Sequence, residues 1–207
     1  MRFKFLLLIS ITLILSVQQI FSQSIYTKQK GSSISAGFGL SANNSDLNGR
    51  SFALGMSPAR GTDFSFTVSD FEGTFSGGYP YSFRNVGGSI TFSPLKQWED
   101  NPFSFQAIVG GTKTYSKEAD VQRGLSAFMG AYVVRELQME KASLYPGISY
   151  IYSPFVAGKP DQASSLAVDM GLSVELTRRL LFIVSPSLTF DLTHNTRSAG
   201  IISGFVF

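Results

Sequence analysis

The sequence contains no cysteine. Disulfides, thiolate metal sites, cysteine nucleophiles and a lipid-modified cysteine are therefore excluded together. Histidine is almost as scarce: His194 is the only one. A transition-metal site would have to be assembled nearly entirely from carboxylates, so no metal and no cofactor is expected. Long hydrophobic runs are missing beyond the amino terminus, where no stretch approaches the roughly 18 apolar residues of a helical membrane span. Net charge is small as well. The chain has 17 Lys and Arg against 14 Asp and Glu. Two of those bases, Arg2 and Lys4, sit in the first few residues, which leaves no basic footprint for nucleic acid.

The amino terminus is the one apolar run. Arg2 and Lys4 precede mostly apolar positions 5–17, and the small polar stretch Ser22-Gln23-Ser24 follows. This is the layout of a secretory signal peptide, too short to cross a membrane as a helix. Cleavage is expected after Ser22, although Ile20 is bulkier than the usual residue three positions upstream. The expected division is a signal peptide over 1–22, a short periplasmic segment over 23–31, and one β-domain over 32–207. An exported chain with 19 Phe, 8 Tyr and 20 Gly and no helical span is either a secreted all-β domain or a membrane barrel.

What fills the rest of the sequence is alternation with period two. Ile34, Ala36, Phe38 and Leu40 alternate with Ser33, Ser35, Gly37 and Gly39. Phe64, Phe66 and Val68 alternate with Asp63, Ser65, Thr67 and Ser69, and Leu166, Val168, Met170 and Leu172 with Ala167, Asp169, Gly171 and Ser173. Such a row occupies one face of a strand. The pattern predicts ten strands, over 32–42, 49–57, 61–70, 82–93, 102–114, 123–136, 141–152, 163–176, 179–190 and 198–207, with eight as the alternative. Segments 125–135 and 143–152 carry bulk on both faces. An even count returns both termini to the periplasmic side.

A soluble sandwich also alternates, but its solvated face is rich in Lys and Glu. Here Gly, Ala and Ser dominate the second face, while charge gathers near predicted strand ends. The expected fold is therefore all-β, a closed antiparallel transmembrane β-barrel with apolar rows toward lipid and small residues toward the lumen. Pro146 and Pro186 fall inside predicted strands and lack a ladder donor. A bulge, a strand end, or a place above the hydrocarbon is expected at each.

With its signal segment, alternating strands and final Phe207, the chain resembles the small bacterial outer-membrane β-barrel proteins. The Phe-rich composition and Gln23 after the cut resemble exported Bacteroidetes proteins. In that class a terminal aromatic preceded by alternating apolar residues is read by the barrel-assembly machinery. The resemblance implies that role for Phe207, Phe205 and Ile201, with Ser203 interrupting the row. It implies outer-membrane lipid as the surroundings.

A ring of eight to ten strands is narrow, and side chains fill it by default. Asp63, Gln106, Asp169, Glu175 and Asp191 are the candidate lumen residues. The 71–81 connection holds Phe75, Tyr79 and Tyr81, and the next one of similar character begins near Phe155. These four aromatics form a candidate partner surface. Asp191, His194 and Ser198 are the sole grouping with triad chemistry, and their closeness in sequence is also what an ordinary loop provides.

Three functions follow. The leading one is a non-enzymatic barrel serving as a structural or accessory subunit of a larger envelope complex. The alternatives are a narrow small-solute channel and a rim hydrolase or acyltransferase.

Overall fold

A computed structural model describes residues 32–43, 47–59, 61–74, 78–97, 101–116, 123–156 and 162–207. The expected signal peptide, the segment over 23–31, and Phe75 lie outside these residues.

The strands are β1 (Ser33–Asn43), β2 (Asn48–Ala59), β3 (Thr62–Thr74), β4 (Pro80–Leu95), β5 (Ser104–Tyr115), β6 (Gly124–Val134), β7 (Leu137–Gln138), β8 (Ala142–Phe155), β9 (Ala163–Thr177), β10 (Leu180–Asp191) and β11 (Thr196–Val206). Ten of them form the wall, and β7 is a two-residue ladder on β8. Each wall strand pairs antiparallel with its sequence neighbours, β6 meets β8, and β1 meets β11. The sheet closes on itself and leaves no edge, as a wall in hydrocarbon requires. The last residue takes part in closure: Phe207 N donates to Ile34 O at 2.8 Å, and Ile34 N to Phe207 O at 3.2 Å. Both described ends of the chain thus lie at one end of the barrel, called here the terminus end. The opposite end is the loop end.

The strands are tilted. Followed pair by pair round the wall, Ile34 leads through Met56, Phe64, Ile90, Val109, Met129 and Tyr152 to Ser164. Ile34 is at the terminus end of β1, and Ser164 is at the loop end of β9. A row that climbs the whole wall is the stagger that barrel closure imposes.

The wall is inverted relative to a soluble protein. Phe38 is 67% exposed and Val109 55%, while Ser35, Thr67, Ser89 and Asp169 are buried. Only a surrounding of hydrocarbon makes such an outer face favourable. In β6, where both faces are bulky, Leu125 and Met129 turn outward and Phe128 and Val134 inward; in β8, Ile148 and Tyr150 turn outward and Tyr145 and Ile151 inward.

β4 begins at Pro80, before the predicted 82, so Tyr81 is a strand residue. Its side chain points into the barrel and is 2% exposed, because the strand period places it on the inner row with Phe83. It is not part of a loop surface. Pro186, where the sequence predicts a bulge, a strand end or a place above the hydrocarbon, lies inside β10 without a bulge. It pairs in register with Ile201, between the outward Val184 and Leu188. Toward β9 the register runs unshifted from Val184–Leu172 to Ser187–Asp169, with no rung at Ser185 or Pro186. The missing donor costs a rung and not the register. Pro146 does sit where β6 ends: Val134–Gly147 is the last pair, and Arg135 N donates to Pro146 O.

Two long connections at the terminus end are tied together. Gln97 Nε2 donates to Glu136 O at 2.9 Å, and Glu136 N donates to Gln97 Oε1 at 2.6 Å. The carboxamide copies a backbone rung between the β4–β5 and β6–β8 connections.

Candidate functional site

The inner face of the barrel gathers most of the predicted site residues, at different levels. At the terminus end, Val134, Tyr145, Ile183, Ile202 and Val206 form one connected apolar cluster, with Tyr132 and Leu181 packed on it. These side chains come from β6, β8, β10 and β11. Strands that span half the ring thus meet in the interior, which a side-chain-filled lumen of this strand number allows.

A cavity of about 210 Å³ opens beside this cluster, lined by Glu136, Ser143, Tyr145, Ser173 and Glu175. Ser143 Oγ donates to Glu136 Oε1 at 2.8 Å, and Tyr145 Oη donates to the same oxygen at 3.4 Å. Glu175 follows the inner row of β9 but is exposed at this mouth, beyond the enclosed interior.

Asp63 and Gln106 are buried on β3 and β5. Gln106 Nε2 donates to Ser93 Oγ at 2.7 Å. Asp169 accepts from Tyr132 Oη at 2.6 Å. The donor strand β6 and the acceptor strand β9 are not neighbours, since β8 lies between them. Gly147 of β8 makes the reach possible, because a Cβ there would come within 2.5 Å of Tyr132 Cε2. The same device recurs. Phe128 covers Gly110, Phe71 covers Gly49, and Tyr81 covers Gly73, each aromatic lying where the glycine's side chain would be. Inner rings fill the volume that inner glycines vacate.

Toward the loop end the interior divides. Phe128, Ile151, Val156 and Ala163 pack with Ile108 on one side. On the other side the wall is polar. Thr67, Ser69, Asn85 and Ser198 bury side-chain polar atoms with no hydrogen-bond partner among the described residues. Buried groups of this kind are the usual anchoring points of internal water. Phe71 and Phe83 stack at 5.1 Å above them, and Tyr81 stacks on Phe83 at 6.3 Å.

The grouping at the rim is brought together in part. Asp191 Oδ1 accepts from the backbone N of Thr193 at 2.8 Å and of His194 at 2.9 Å. Its Oδ2 lies 3.0 Å from His194 Nδ1. This is a side-chain-stapled turn between β10 and β11. Ser198 Oγ is buried and forms no hydrogen bond with His194, so no nucleophile-to-base contact is present. Tyr79 is 75% exposed at the loop end. Phe155 ends β8. Ile201 and Phe205 face outward on β11 and Phe207 is exposed just past its end, and the Phe205 ring is 5.2 Å from that of Phe182 on the neighbouring strand.

Sequence reasoning did not identify Tyr132, Tyr145, Glu136 or Gln97. The available signal was the double-faced bulk of β6 and β8, which marks strands whose inner row fills a lumen.

No protein-family model matches the sequence, and neither does any curated protein. Solved structures match in fold. The translocator domain of autotransporter NalP from Neisseria meningitidis superposes with a TM-score of 0.50 at 10% identity, covering 90% of this chain and 91% of that one. The beta domain of the Bordetella autotransporter Brka superposes with a TM-score of 0.50 at 9% identity, covering 86% and 98%. At such identities the likeness is one of fold.

Proposed function

We propose that this barrel resides in the bacterial outer membrane with both termini periplasmic, as a non-enzymatic structural or accessory subunit of a larger envelope complex. The observation that carries the reading is the filled interior. The Val134–Tyr145–Ile183–Ile202–Val206 cluster bridges strands across the terminus end, and the Tyr132–Asp169 bond lies beside it. A barrel filled in this way offers its outer wall and rims for use, and not its bore. Outer-membrane lipid is then its first partner. Phe207, Phe205 and Ile201 serve as the signal for the barrel-assembly machinery.

Purification from native membranes after crosslinking tests the accessory role. A reproducible envelope partner is the expected result, and a homogeneous monomer under all crosslinking conditions would count decisively against it. A narrow small-solute path is the second reading, favoured by the polar inner wall at Thr67, Ser69 and Asn85. Reproducible single-channel steps from the wild-type protein would favour that path over the accessory reading. The rim hydrolase or acyltransferase gains no support from Ser198, which does not engage His194.

A further inference from the structure

Near the loop end the outer wall changes from apolar to charged along β2, β3 and β4. Along β2 the last outward apolar residue is Phe52 and the next outward residue is Arg50; on β3, Val68 gives way to Asp70; on β4, Val86 gives way to Arg84. Arg50, Asp70 and Arg84 are consecutive register partners, and the row continues to Tyr115 of β5. Lys113 is one outward step below Tyr115, with its ammonium 5.1 Å from the ring centre. Beside this row β6 is apolar, with Leu125 the register partner of Lys113 and Ala127 after it, and β8 carries Tyr152, whereas Arg197 is outward and exposed on β11.

Asp70 serves to orient a cation. Arg84 Nε donates to its Oδ1 at 2.6 Å and Nη2 to its Oδ2 at 3.0 Å. Both carboxylate oxygens are used, and Nη1 of Arg84 keeps its two donors directed elsewhere. The pair is open, with 59% and 53% of the side chains exposed. Among the described residues Arg50 has no ion pair. Glu72 lies one outward step beyond Asp70, farther from the apolar belt. Arg50, Asp70, Glu72, Arg84 and Tyr115 border an open groove of about 710 Å³, and the inner-row Phe71 and Phe83 also line it.

We propose that this groove, with Lys113, is a binding site for phosphate-bearing lipid headgroups on one side of the barrel. The level selects a lipid over other anions, because the cations begin one outward step, about 6–7 Å along a strand, from the last tail-facing side chain. The chemistry selects phosphate. A guanidinium held by one carboxylate presents a fixed fork to a second oxyanion, and Tyr115 has the apolar body and polar tip of an interfacial residue.

The test uses the full chain in phosphatidylcholine vesicles carrying spin-labelled phosphatidic acid or spin-labelled phosphatidylcholine with the same acyl chains. The motionally restricted fraction is expected to favour phosphatidic acid by about fivefold or more, since a cation at a lipid surface contributes about a fivefold preference. Arg50→Gln with Lys113→Gln should bring the preference close to one while heat-modifiable mobility shows the barrel folded. Arg178→Gln with Arg179→Gln, at the terminus end, should leave it intact. Equal restriction of both lipids by the wild type, or equal loss from both pairs of substitutions, would overturn the site. Displacement by inorganic phosphate at constant ionic strength would overturn it too, since the groove would then read a free anion.

Discussion

Tyr132 and Asp169 are joined by a 2.6 Å hydrogen bond that passes over Gly147, on the strand between theirs. A carboxylate in a barrel interior needs such a partner, since an unpaired buried charge is costly. The bond and the glycine are one arrangement, and each makes a prediction.

A double-mutant cycle of Tyr132→Phe and Asp169→Asn should return a coupling of about 1.5–3 kcal/mol, the range for a hydrogen bond to a charged group. Urea unfolding from lipid vesicles measures it. A coupling indistinguishable from zero would mean that the two groups do not support one another.

Gly147→Ala should destabilise the barrel by about 1–3 kcal/mol through overpacking against the Tyr132 ring. In a Tyr132→Leu background the same substitution should cost less, because the ring edge that obstructs the methyl is gone. The same loss in both backgrounds would show that backbone effects at position 147, and not the ring, set the cost.

The apolar cluster at the terminus end should control conductance. Planar bilayers should record no channel steps from the wild type. Tyr145→Ala combined with Ile183→Ala should open steps, at a stability cost of about 2–5 kcal/mol for each truncation. If the truncated barrel is as silent as the wild type, something other than this cluster closes the bore.

The staple at Asp191 predicts a local effect. Asp191→Ala should speed hydrogen exchange of the Thr193 and His194 amides by about tenfold or more, since each donates to the buried carboxylate. Nuclear magnetic resonance in micelles reads this directly. Unchanged protection of both amides would mean that the turn is held by its backbone alone.

Because the chain has no cysteine, a single introduced thiol reports orientation cleanly. Tyr79→Cys at the loop end should react with an impermeant maleimide on intact cells. Arg179→Cys should react only after the outer membrane is permeabilised. The reverse pattern would invert the proposed topology.

The rows were legible because successive side chains on a strand must point to opposite faces. That rule assigned Phe38 and Val168 to one surface and Ser35 and Asp169 to the other without knowledge of neighbours. It failed to place Tyr81 because a two-residue shift in a strand boundary decides whether a residue is wall or loop. At Pro186 the loss of one rung does not shift the register, because the pairs on either side hold it.

The sequence by itself determined the β-barrel class, the apolar exterior and an even count of ten or eight wall strands, since these follow from a local period and the spacing of turns. The tertiary structure alone decided which inner side chains meet. Tyr132 and Asp169 come from strands that do not pair, and Gln97 and Glu136 from separate connections, so their contact depends on the tilt and stagger of the closed ring. The register that brings Arg50, Asp70 and Arg84 into one row is set in the same way. Period two is written into each strand, but the offset between strands is a property of the whole circle.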